Sequence, residues 1–149
     1  MRYRKGFTVL ELILVLSIIL VLIGIVVLAL HKIAEKGKVT RIIADLSELR
    51  KLIDEVYINE LSGFENVCAV QGGTLSDSPS SDPGLNAKVK EIKQDLEKLT
   101  GPHSIKCFSN KNDYCIHIEA LEKYFCIDSD GRINALTHPP CSSATSKCQ

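Results

Sequence analysis

Apolar residues run almost without break over positions 12–30, where only Ser17 and Gly24 interrupt the aliphatic side chains. At about 1.5 Å of rise per residue, that run makes a helix of roughly 28 Å, close to the hydrocarbon thickness of a bilayer. From His31 the pattern changes. Ile33, Ile42, Ile43, Leu46, Leu49, Leu52, Ile53, Val56, Tyr57 and Leu61 recur mainly three and four positions apart, with Lys38, Arg41, Asp45, Glu48, Arg50, Lys51, Asp54 and Glu55 between them. That spacing predicts an amphipathic helix with one buried stripe. No proline separates the halves, so one helix is expected over residues 7–61. Gly37 is its weakest interior position, at about 1 kcal/mol relative to alanine and a possible hinge, and Ser62-Gly63 is its end.

Residues 64–86 are rich in turn formers and predict a solvated surface loop. A second helix is expected over 86–99, capped by Asn86, with Val89, Ile92, Leu96 and Leu99 as its apolar edge and Gly101-Pro102 as its stop. Beyond Pro102 the period shifts towards two. Short strands are expected at 104–108, 114–119, 124–128 and 132–136, with turns at 109–113, 120–123 and 129–131. The fold class is therefore α+β: a long N-terminal helix packed on a small antiparallel sheet.

Charge gives the first segment a direction. Arg2, Arg4 and Lys5 precede the apolar run, so the N-terminus should stay cytoplasmic while the chain beyond the run is exported. Glu11 breaks the apolar pattern, and an acid within a membrane span costs about 2.5–3.5 kcal/mol at the bilayer centre. Either it reaches water at the interface or it has a partner. A cut between Gly6 and Phe7 would create one, because the new α-amino group lies four residues before Glu11 on the same helix face. An ordinary secretory signal cleaved near Val27-Leu28-Ala29 fits less well, since the apolar run exceeds the usual length of such signals.

Lys5-Gly6-Phe7-Thr8-Val9-Leu10-Glu11, followed by about twenty aliphatic residues, resembles the class III signal of type IV pilins and pseudopilins. The resemblance implies that a prepilin peptidase cuts after Gly6 and that the new N-terminal Phe7 is methylated. It further implies that Glu11 guides incoming subunits into a filament. The implied organisation is a leader (1–6), a membrane and filament-core half-helix (7–30), an amphipathic half-helix (31–61) and a disulfide-stabilised head (62–149). The implied partners are copies of the chain or other pilins, the prepilin peptidase and a membrane assembly platform. The implied location is the inner membrane and then an external pilus or periplasmic pseudopilus. One departure is the lack of the proline that many pilins carry in this helix; only Gly24 stands there. Minor pilins and secretion or competence pseudopilins share the same signal. A reading from another class is a single-pass membrane protein with a disulfide-rich binding head.

The composition narrows the head's chemistry. Lys and Arg number 18 against 18 Asp and Glu, and loss of the leader leaves 15 against 18. That mildly acidic balance argues against a dedicated nucleic-acid surface. Cys68, Cys107, Cys115, Cys126, Cys141 and Cys148 all follow the apolar run, which predicts disulfides in an oxidising compartment. Six cysteines allow fifteen connectivities; the expected set is Cys68–Cys107, Cys115–Cys126 and Cys141–Cys148. No Cys-x-x-Cys pair supports a zinc ribbon, and His138-Pro-Pro-Cys141 offers two ligands without a second pair. Asp128-Ser-Asp130-Gly131 has part of a calcium loop but lacks the later bidentate Glu, so a tight turn is the plainer reading. Secretion pseudopilins bind calcium in a C-terminal loop, which keeps Asp128 and Asp130 as candidate ligands by resemblance. His117, on an expected strand, reads as a surface or half-buried side chain and not as a base. No catalytic set or cofactor motif stands out, and the protein is expected not to be an enzyme.

Overall fold

The computed structural model describes residues 8–60, 63–70, 72–142, 147 and 148. The architecture is α+β, with α1 (Val9–Glu60), α2 (Pro83–Thr100), β1 (Ile105–Ser109), β2 (Tyr114–Ala120), β3 (Lys123–Asp128) and β4 (Ile133–Leu136). Its internal contacts divide the chain into two compact units, Met1–Val39 and Thr40–Gln149.

In the first unit, Val9–Val27 forms a 19-residue helical stretch of mean hydropathy 3.2, none of it buried. Its length and composition suffice to cross a membrane. The helix continues through Gly24 and Gly37. The expected end at Ser62 and the apolar position Leu61 lie outside the described residues.

In the second unit, Ile42, Leu46, Leu49, Leu52, Ile53 and Val56 bury the stripe expected from their spacing. Ile43 and Tyr57 flank that stripe and stay partly exposed. Arg50, on the same part of α1, reaches the carbonyl of Gly131 at 3.4 Å. Gly131 has φ +86°, a left-handed conformation that favours glycine; a Cβ there would meet only the movable Arg50 guanidinium, at 2.6 Å. The α2 helix buries Leu85, Val89, Ile92 and Leu96. Its cap is Asp82 rather than Asn86: the Asp82 carboxylate accepts from the Gly84 amide at 2.7 Å, and Pro83 occupies the first helical turn. Pro83 has the φ a helix start needs and no N–H to leave unpaired, so helix begins earlier than Asn86. Asn86 instead brackets Ser80, accepting from its amide and donating to its carbonyl.

The four strands make one antiparallel meander in the order β1-β2-β3-β4. Leu121 and Glu122, both at positive φ, turn β2 into β3 between the paired Ala120 and Lys123. Ile105 and Cys107 share one face with Tyr114, Ile116, Ile118, Phe125 and Ile127; Phe108 shares the other with Cys115, His117, Cys126 and Asp128. Residues 114–118 of β2 are all buried, so both faces of the sheet are covered. The segment after Gly63 also departs from the expected solvated loop. Phe64, Val67, Cys68 and Leu75 are buried, Phe64 stacks on Tyr57, and Gly73 pairs with Cys107 at the edge of β1. Its turn residues set the local path, while three apolar side chains and the Cys68 disulfide bring it into the core.

His117, expected on the surface or half-buried, is instead buried: 5% of it is exposed, between the rings of Phe108 and Tyr124. Burial, then the nearby charge of Lys106, holds its pKa below the ordinary value of 6.5. The unfolded chain therefore takes up the proton first as pH falls. His117 contributes full stability above about pH 6.5 and loses it as acid titrates the imidazole, down to the lower folded pKa. Thermal melts of the parent between pH 7.5 and 5 should show a falling Tm. The His117→Gln variant should flatten that slope, and an unchanged slope would count against this origin.

Candidate functional site

Two places combine unusual residue types with defined geometry. The first is the start of α1. Thr8 stands at the N-cap, and its carbonyl accepts the first intrahelical bond from Leu12 at 3.2 Å. The Glu11 carboxylate accepts from the Thr8 amide and from the Thr8 hydroxyl, both at 3.0 Å, while the Glu11 amide donates to that hydroxyl at 3.2 Å. This is a reciprocal capping box. It satisfies two of the N–H groups that a helix start otherwise leaves open. Glu11 therefore has a partner in Thr8, apart from the counter-ion expected at Phe7. The signal was present as Thr8-Val9-Leu10-Glu11, the S/T-x-x-E spacing. Gly6 and Phe7 lie outside the described residues.

The second place is the sheet face opposite the helices. Disulfides join Cys68 to Cys107, Cys115 to Cys141 and Cys126 to Cys148, with Cα separations of 5.5, 5.8 and 5.9 Å. The expected pairs Cys115–Cys126 and Cys141–Cys148 do not form. Register explains this: Cys115 stands opposite Asp128, and Cys126 opposite His117. The two cysteines are diagonal neighbours, and such positions lie about 7–8 Å apart, beyond comfortable disulfide reach. Each instead captures a cysteine of the C-terminal segment. Cys115, Cys126, Cys141 and Cys148 form one buried cluster with Phe108 against it.

Asp128 completes this arrangement. It is fully buried, and its two oxygens accept from the Arg132 amide and the Cys148 amide, each at 2.9 Å. Asp130 pairs with Lys147 at 2.9 Å. The two carboxylates raised as calcium candidates thus hold the β3–β4 turn and the C-terminal segment together. Asp128→Ala would strand the buried Cys148 amide, at a cost of about 2–3 kcal/mol. Denaturant unfolding should report that loss, and limited proteolysis should cut the C-terminal segment faster. Unchanged values on both would contradict the anchoring role.

A third cluster lies between α1 and α2, where Asp45, Glu48, Glu91 and Asp95 line a cavity of about 160 Å³. Arg41 occupies Asp95 at 2.7 Å and holds its carboxyl below the usual range. Partial burial pushes the Asp45 carboxyl up, opposed by Arg41.

Residues 1–27 match the family model of the prokaryotic N-terminal methylation motif. Comparisons with curated proteins and with solved structures give no match. The chain thus carries the class III signal of type IV pilins and pseudopilins, on an apolar helix fit for a membrane and ahead of a disulfide-bonded α+β head.

Proposed function

We infer that this protein is a structural subunit of a type IV pilus-like filament. The observation that carries this reading is the methylation motif over residues 1–27. A prepilin peptidase cuts after Gly6, and the amine of Phe7 is methylated. The leader is then 1–6, the filament-core half-helix 7–30, the amphipathic half-helix 31–61 and the head 62–149. Before assembly, the apolar segment spans the inner membrane with its N-terminus in the cytoplasm. In the filament the same side chains pack against neighbouring subunits. Little apolar area gains or loses contact with water on this transfer, so extraction from lipid is close to balanced. The role is scaffolding, with no catalysis.

Intact-mass analysis of protein from membranes and from sheared cell surfaces tests the reading. The expected mature species lacks six residues and carries one added methyl group. Gly6→Asp should leave only the uncut precursor in the membrane, because a carboxylate replaces the smallest residue at the scissile bond. A native chain that retains its first six residues would instead describe an anchored ectodomain.

A further inference from the structure

We propose that His117 is an acid-sensitive latch for the outer edge of β1: when its buried imidazole takes up a proton, the Gly72-Gly73 stretch comes off that strand and leaves it with an open edge. The latch is a row of contacts across the sheet face opposite the helices, its second face. Gly72 packs against the Phe108 ring, so closely that a Cβ there would lie 3.2 Å from a ring carbon. The Phe108 ring is nearly parallel to the His117 imidazole, with centroids 6.3 Å apart, and Tyr124 meets the imidazole edge-on from β3 at 5.7 Å. The stretch is held to β1 by two backbone hydrogen bonds. The Gly72 amide donates to the Cys107 carbonyl at 2.8 Å, and the Cys107 amide to the Gly73 carbonyl at 2.9 Å.

A charge at the centre of this row is poorly served. His117 is 5% exposed, and its Nδ1 has no hydrogen-bond partner among the described residues. Protonation makes both ring nitrogens donors, so Nδ1 becomes a buried N–H with no acceptor. Lys106 stands directly opposite on β1, and like charges at opposed positions repel. The same two causes, burial first and then Lys106, hold the imidazole pKa below its ordinary value. The other charged groups of this face give little relief. Glu119, two positions along β2, is exposed, and Asp128, diagonal on β3, already accepts from the Arg132 and Cys148 amides. Opposite on β3, Cys126 is tied into a disulfide, and Asn134 beyond it on β4 carries no charge.

The imidazolium escapes towards β1 because that side gives way first. Tyr124 belongs to β3, which is paired along both edges. Phe108 belongs to β1, whose outer edge is bridged, among the described residues, by Gly73 alone. The ring cannot swing outward without displacing Gly72, and two hydrogen bonds are then lost together. Cys68–Cys107 keeps the released stretch tethered, so the opening is local and reversible. An unpaired strand edge is a template for pairing with another extended chain, so the latch decides at which pH the head presents one. It needs no partner, and it operates whether or not the chain assembles into a filament.

The test follows amide hydrogen exchange of the full chain in detergent micelles by NMR from pH 7.5 to 5, corrected for the intrinsic pH dependence of exchange. Protection of the Gly72 and Cys107 amides should begin to fall below about pH 6.5. The fall should reach up to about tenfold per pH unit, the limit for uptake of one proton, while amides of the β2–β3 ladder keep their protection. His117→Gln should abolish it. Lys106→Gln, at an exposed position that leaves the histidine in place, should weaken it, because the imidazolium then faces one charge fewer. Should His117→Gln fail to fold, the Lys106→Gln response decides. Three results overturn the proposal: Gly72 and Cys107 amides still protected at pH 5, a fall that persists in His117→Gln or is unchanged in Lys106→Gln, or a β2–β3 ladder that loses protection in step with them, which is unfolding of the whole head.

Discussion

Glu11→Ala should leave cleavage after Gly6 largely intact and abolish filaments. In the proposed filament the Phe7 amine would be a cation in an apolar core and would need an anion, and Glu11 is the one acid in the span Val9–Val27. Stranding such a charge costs roughly 3–5 kcal/mol, or over about a hundredfold in subunit affinity. The capping box complicates a single substitution, because Glu11→Ala also removes an acceptor for the Thr8 amide, at about 1 kcal/mol. Two further variants separate the effects. Glu11→Gln can keep the box, since Gln also serves at that position, but it removes the charge and should lose filaments nearly as completely. Thr8→Val breaks the box and keeps the carboxylate, and should retain most of the yield. Sheared-filament yield, normalised to mature subunit in the membrane, reads all three. Normal yield with Glu11→Gln would eliminate the charge-pairing role, and failure of Thr8→Val alone would assign the effect to the helix start.

The same residues show what the chain discloses by itself. The buried stripe of α1 and the four strands follow from periodicity, because side-chain spacing alone decides which face can be buried. The β2–β3 pairing was legible from Cys115-Ile116-His117-Ile118 and Tyr124-Phe125-Cys126-Ile127. Their register was not, and a shift of two positions separates opposed cysteines from diagonal ones. Period two also implies one wet face. It could not show that Cys141 and Cys148 bond back onto that face, or that His117 and Asp128 are buried there. Burial of Phe64 and Leu75 was hidden for a related reason: turn residues define a path, and what lies beneath it is a tertiary matter. The capping box and the Asp82-Pro83 helix start were different. Both are written in local spacing, as Thr8-x-x-Glu11 and as Asp82-Pro83.

Removal of the two cross-links on the second face should cost the head most of its stability. Cys115–Cys141 closes a loop of 26 residues and Cys126–Cys148 one of 22. Loop-closure entropy gives about 3–4 kcal/mol for each, against a total near 5–15 kcal/mol for an ordinary domain. Either paired substitution, Cys115→Ala/Cys141→Ala or Cys126→Ala/Cys148→Ala, should lower Tm by roughly 10–20 °C. The loops interleave, so the quadruple variant should lose less than the sum. It should nevertheless unfold near growth temperature, because both covalent ties of the C-terminal segment to the sheet are then gone and weaker contacts such as the hydrogen bond at position 148 to Asp128 and the Asp130–Lys147 pair remain. Cys68–Cys107 closes the longest loop, 39 residues. On entropy alone its removal should cost as much as either of the others. A smaller loss there than at the second face would show that buried packing adds to loop closure around the cluster. Pairing is tested most directly with Cys141→Ala/Cys148→Ala, which leaves Cys115 and Cys126 as the only cysteines of that face. Their diagonal register should keep them as two thiols after oxidation. A quantitative Cys115–Cys126 cross-link in peptide mapping would instead mean that β2 and β3 pair in another register.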